Sequence, residues 1–187
     1  MSQIDRLIEN YANFIKIPFN TSDAPSQRVI FCVYNQRDQL KLEAKISEFE
    51  IKTKDANRKW LFYDIANTYP QFLITQKYIE KYYKKPELTS INADQFIEYL
   101  ASGLKQYLSE HETDDNTVLA INGVGSLFSV LKVNSLVEKI APMHLGRLLV
   151  FFPGSYNSKN IHQNYKLLDG YDGWNYHAVA ITADGGF

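Results

Sequence analysis

The sequence predicts a three-layer α/β domain, with a mostly parallel sheet of about five strands and helices on both faces. Two observations carry this. The strand-like runs are short and almost continuously apolar, as in Arg28-Val-Ile-Phe-Cys-Val-Tyr34 and Arg147-Leu-Leu-Val-Phe-Phe152, which suits strands covered on both sides rather than on one. The segments between them carry apolar residues at helical spacing, so successive strands are joined by crossovers, and crossovers make neighbours parallel. With 187 residues and no internal repeat or Gly/Ser-rich linker, the expectation is one domain over 1–187.

Ser2 and Asp5 form a capping-box pattern ahead of Ile4, Leu7, Ile8, Tyr11, Phe14 and Ile15, an amphipathic helix stopped by Pro18. A polar loop leads to the first strand. The turn Asn35-Gln-Arg-Asp38 then opens a second helix with Leu42, Ile46 and Phe49 on one stripe, ending near Asn57. Lys59-Trp-Leu-Phe-Tyr-Asp-Ile65 is the second strand. Residues 66–116 read as an extended helical crossover, whose last helix starts at the cap signature Asn92…Gln95 and presents Phe96, Leu100 and Leu104. Thr117-Val-Leu-Ala-Ile121 is the third strand and Ser135–Ile140 a short helix. After the fourth strand, Pro153-Gly154 is expected to end pairing, and a long loop leads to a last strand over Asn175–Thr182. Residues 183–187 are expected to fray.

Composition excludes several classes. Lys+Arg 20 against Asp+Glu 21 leaves a net charge of −1, with no global field toward nucleic acid or anionic membrane. The longest apolar run, Val29–Tyr34, is far below the roughly 20 residues of a membrane helix. The single cysteine, Cys32, cannot form an intrachain disulfide and lies within an apolar strand, so it reads as an inert core thiol. The four histidines have no metal-ligand spacing. The expected setting is cytoplasmic, with no cofactor, no metal and no membrane. The 13 Tyr, 11 Phe and 2 Trp supply core volume and a tyrosine-rich contact face.

In such a sheet, ligands and partners meet the loops at the carboxyl ends of the strands. That rim collects Asn35, Arg37, Asp38, Asp64, Asn122, Gly123 and Gly125 as candidate ligand or partner residues. Gly123-Val-Gly125 lacks the third glycine of a dinucleotide fingerprint, because position 128 is Phe, and no glycine in the chain precedes a lysine, so there is no Walker A loop. Asn35 and Asp38 are helix-capping types. Both glycines are expected to serve a sharp turn with positive φ. No Gly-x-Ser-x-Gly elbow occurs. The residues therefore supply no catalytic constellation. The enzymatic alternative is a divergent nucleotide hydrolase or nuclease using Asp64 and the Asn122–Ser126 loop; a third reading is a nucleic-acid-binding module through the basic stretch Lys52–Lys59.

Several segments resemble a known family. Arg28–Tyr34 with its turn, Asn122-Gly-Val-Gly-Ser-Leu-Phe128, Gly146-Arg-Leu-Leu-Val-Phe-Phe-Pro-Gly-Ser-Tyr156 and the ending Tyr165-Lys-Leu-Leu-Asp-Gly-Tyr-Asp-Gly-Trp-Asn-Tyr…Thr182 are similar, in the same order, to the BrxB family of BREX phage-resistance systems. The resemblance implies an accessory or adaptor protein without catalytic residues. Its partner would be PglZ, an alkaline-phosphatase-like protein, with the BREX methyltransferase as a further candidate and nucleic acid engaged only indirectly. Its role would be to support phage restriction and host-DNA methylation. The layout also resembles a P-loop NTPase sheet without its Walker A loop. The aromatic stretch after the fourth strand is the expected partner surface, through Tyr156, Asn157, Asn160, Tyr165 and Tyr171, with Trp174 assigned to the core.

Overall fold

The computed structural model describes residues 1–20, 22–77, 80, 84, 92–157, 164–170, 173–175 and 178–185. Its strands are β1 (Val29–Tyr34), β2 (Lys59–Asp64), β3 (Thr117–Asn122), β4 (Arg147–Asn157), β5 (Asn164–Leu167), β6 (Gly173–Asn175) and β7 (Val179–Ile181). Five of them form a parallel sheet in the order β2-β3-β4-β1-β7. The first and second strands thus lie apart with the third and fourth between them. β1 and β3 are buried along their full length, as their continuous apolar runs require.

Alternation splits each central strand between two cores. Ile30, Cys32, Val118, Ala120, Leu149 and Phe151 face a layer made by helices α1 (Gln3–Ile15), α2 (Gln39–Glu43) and α3 (Ile46–Asp55). Phe31, Val33, Leu119, Ile121, Val150 and Phe152 face the opposite layer, made by α4 (Thr68–Ile74), α5 (Ala93–Ser109) and α6 (Val133–Ile140). The three-layer α/β expectation therefore holds. Among the described residues, no helix is long and apolar enough to cross a membrane.

The capping box at α1 forms as the sequence implies: Ser2 Oγ accepts the Asp5 N–H at 3.2 Å, and an Asp5 carboxylate oxygen accepts the Ser2 N–H at 2.8 Å. Lys45 closes on the same carboxylate at 2.8 Å and tethers the start of α3 to the start of α1. Asn92, by contrast, occupies the N-cap position of α5 without a side-chain capping bond. The long second helix divides into α2 and α3 at Ala44-Lys45, and Leu42 and Phe49 are both buried across the break.

The largest correction concerns the segment after the fourth strand. Pro153 ends the parallel ladder opposite Tyr34, yet its carbonyl accepts the Leu168 N–H at 2.9 Å and the strand runs on to Asn157. A proline removes only a donor, so the chain leaves the parallel sheet without stopping. From Gly154 onward it pairs antiparallel with β5, and β5 pairs with β6. A Cβ at position 154 would run into the Lys166 carbonyl, so only glycine permits this close approach. The expected loop is thus a three-stranded ribbon, and the expected last strand is divided: β6 belongs to the ribbon and β7 returns to lie beside β1. Residues 183–185, at the end expected to fray, are placed beside α1. Thr182 bridges Gly185, Asn10 Nδ2 donates to the Thr182 carbonyl at 2.8 Å, and Arg6 lies 3.6 Å from Asp184. Residues 186–187 lie outside the described residues.

Candidate functional site

The carboxyl ends of β3, β4 and β1 lie side by side at one end of the parallel sheet. At the end of β1 the chain makes a single 3-10 turn, Gln36–Asp38, and Asn35 Oδ1 caps it by accepting the Arg37 N–H at 2.9 Å. Asp38 sits at the N-cap position of α2 but makes no capping bond there; it holds Lys41 at 2.7 Å instead. The Tyr34 hydroxyl donates to Gln39 Oε1, and Gln39 Nε2 donates to a Glu43 carboxylate oxygen at 2.8 Å. The Arg37 side chain, at the tip of the turn, is exposed and makes no ion pair or hydrogen bond among the described residues.

At the end of β3, Gly123 has φ +87°, and a Cβ there would overlap the Ala66 backbone. This glycine is obligatory. Gly125 is not: it is absent from the positive-φ residues, and a Cβ would meet the Pro153 ring at 3.2 Å. The expectation of a strained turn at both glycines is corrected to one. Ser126 folds the loop back, its N–H and hydroxyl both donating to the Gly123 carbonyl at 3.0 and 2.7 Å.

Asp64 and Asn122 do come together. One Asp64 oxygen accepts the Ala66 N–H at 2.8 Å and the other accepts Asn122 Nδ2 at 3.1 Å. Asn122 is buried and its Oδ1 has no partner among the described residues. The carboxylate is spent on shaping the β2 exit turn, and its partner is an amide rather than a base or a second acid.

Two clefts flank the Asn35–Asp38 turn. The first, about 480 Å³, lies between Arg37 and Glu43 on one side and Gly123, Gly125, Pro153 and Leu168 on the other. The second, about 360 Å³, lies between Asn35 and Asp38, the ribbon residues Ser155 and Tyr156, and the Thr182–Asp184 segment. The predicted rim therefore divides: Arg37, Gly123 and Gly125 share one cleft, Asn35 and Asp38 share the other with Tyr156, and Asp64 and Asn122 line neither.

Of the predicted partner residues, Tyr156 is half-buried on the ribbon and Asn157 ends β4 at the surface. Tyr165 is a correction. It is fully buried, edge-on to Phe31 at 4.9 Å, and its hydroxyl donates to the Ala178 carbonyl at 2.8 Å. Burial pushes its pKa well above the usual tyrosine range. Strand alternation explains this: once β5 pairs with β4, Tyr165 lies opposite Tyr156 on the face turned to the core. Asn160 and Tyr171 lie outside the described residues, as does the side chain of Trp174, whose backbone pairs with Tyr165.

A turn that sequence reasoning missed borders the first cleft through Leu168. Leu168 and Asp169 have φ +50° and +57°, and the Gly170 N–H donates to the Leu167 carbonyl at 2.9 Å, which defines a type I′ turn. The dipeptide Asp169-Gly170 is a turn signal, but the turn is centred one residue earlier, so a leucine takes a position that favours Asn or Gly. The basic stretch, meanwhile, is largely spent. Lys54 pairs with Glu50 at 2.6 Å and Lys59 with Asp114 at 2.8 Å, while the Arg58 guanidinium lies 3.8 Å over the Phe19 ring. Cys32 is buried in the core, where desolvation pushes its thiol pKa up. Comparison of the chain with family models, curated proteins and solved structures finds no match in any of the three.

Proposed function

We propose that this chain is a non-catalytic, cytoplasmic adaptor that docks onto PglZ within a BREX antiphage complex and supports phage restriction and host-DNA methylation. The observation that carries the non-catalytic part is the junction after β1. Where a P-loop enzyme cradles phosphates on glycine amides and a lysine, this chain has a 3-10 turn without glycine, its first free amide capped by Asn35. The partner assignment rests on the resemblance of the ordered segments quoted above. The half-buried Tyr156 on the ribbon and the overall charge of −1 favour a protein partner over nucleic acid. The enzymatic alternative through Asp64 is weaker, because both carboxylate oxygens already accept hydrogen bonds within the turn.

Co-expression with the tagged PglZ of the same operon tests the partner. The pair is expected to copurify through size exclusion, with Tyr156→Ala weakening the complex. Because the Tyr156 ring also packs on Tyr165 at 4.8 Å, that variant should lose Tm as well, whereas Tyr156→Phe keeps the packing and should weaken the complex at nearly unchanged Tm. Titration calorimetry with Mg²⁺ and ATP or GTP is expected to give no saturable heat; micromolar binding would overturn the non-catalytic reading.

A further inference from the structure

We draw no further inference here: the strongest candidate, the outer edge of β2 with its half-buried Trp60, Leu61, Phe62 and Tyr63, carries none, because no described strand pairs there and nothing in the structure shows what covers it.

Discussion

Tyr11 is fully buried between α1 and α3, its ring 5.2 Å from Phe49 and its hydroxyl 2.6 Å from Thr53 Oγ1. The Thr53 hydroxyl donates to the Phe49 carbonyl at 2.8 Å, so the tyrosine is the donor in the pair. The two ends of this bond are therefore unequal. Tyr11→Phe leaves Thr53 with its carbonyl partner and should cost about 1 kcal/mol, whereas Thr53→Val strands a buried hydroxyl and should cost about 2 kcal/mol. Denaturant melts of the two variants check the order, and a larger loss for Tyr11→Phe would contradict it. Gly123 and Gly125 differ in the same way. Gly123→Ala meets both a positive φ and the Ala66 backbone and should lose roughly 2 kcal/mol or more. Gly125→Ala has only the Pro153 ring to displace and should lose much less, which thermal melts of the two variants would show.

His144 carries a pH dependence. It is 2% exposed, its Nε2 lies 3.0 Å from the Thr117 carbonyl and its Nδ1 has no partner among the described residues. Nε2 therefore bears the proton of a neutral ring. Burial lowers its pKa below the ordinary 6.5, with Arg28 adding to the effect and the Thr117 contact and Asp114 opposing it. Because the folded value is the lower one, the unfolded chain takes up the proton first as pH falls. Stability is thus fully present above about pH 6.5 and is lost as pH drops toward the folded value. Tm measured from pH 8 to pH 5 should fall in the lower half of that range, and His144→Gln should flatten the fall. An unchanged slope in the variant would assign it to other groups.

Among the elements, the ribbon β4–β5–β6 departs furthest from the sequence expectation. Its apolar content marks it as ordered, but Pro153-Gly154 looks like a terminator, because composition does not reveal that a strand can exchange a parallel partner for an antiparallel one at a proline. The Leu168-Asp169 turn gives this element its own prediction. Leu168→Asn suits a type I′ turn and should relieve on the order of 1 kcal/mol of backbone strain. It also forfeits the apolar contact with the core, so the net change in Tm should be small. A drop as large as that of a core truncation, roughly 3 kcal/mol, would mean that packing rather than conformation sets the turn. α1 behaves oppositely. Its cap, its period and its buried face at Ile4, Leu7, Ile8, Tyr11 and Ile15 are all local, and all were legible.

For the whole molecule, two cores separated by one sheet predict that stability is shared across the layers. Tyr165 anchors the ribbon to the core on the α4–α6 side through Phe31 and Phe152. Tyr165→Ala should therefore destabilise the chain by roughly 3–5 kcal/mol rather than weaken a partner contact at constant stability. Equilibrium unfolding of the variant, followed by circular dichroism, distinguishes the two.

What the sequence by itself determined was the class of the fold: continuous apolar strands and amphipathic crossovers admit few arrangements other than a covered parallel sheet. It also determined the lack of a Walker A loop, which is a matter of residue types at one junction. The tertiary structure alone decided which rim residues meet. Asn35 and Arg37 are two positions apart yet line different clefts, because the 3-10 turn between them points its ends to opposite sides. Leu168 faces Arg37 across about 130 residues of chain only because β4 and β1 are neighbours and the ribbon folds back over their ends. Strand order and the handover at Pro153 are long-range choices, set by which faces can be buried together, and no local period encodes them.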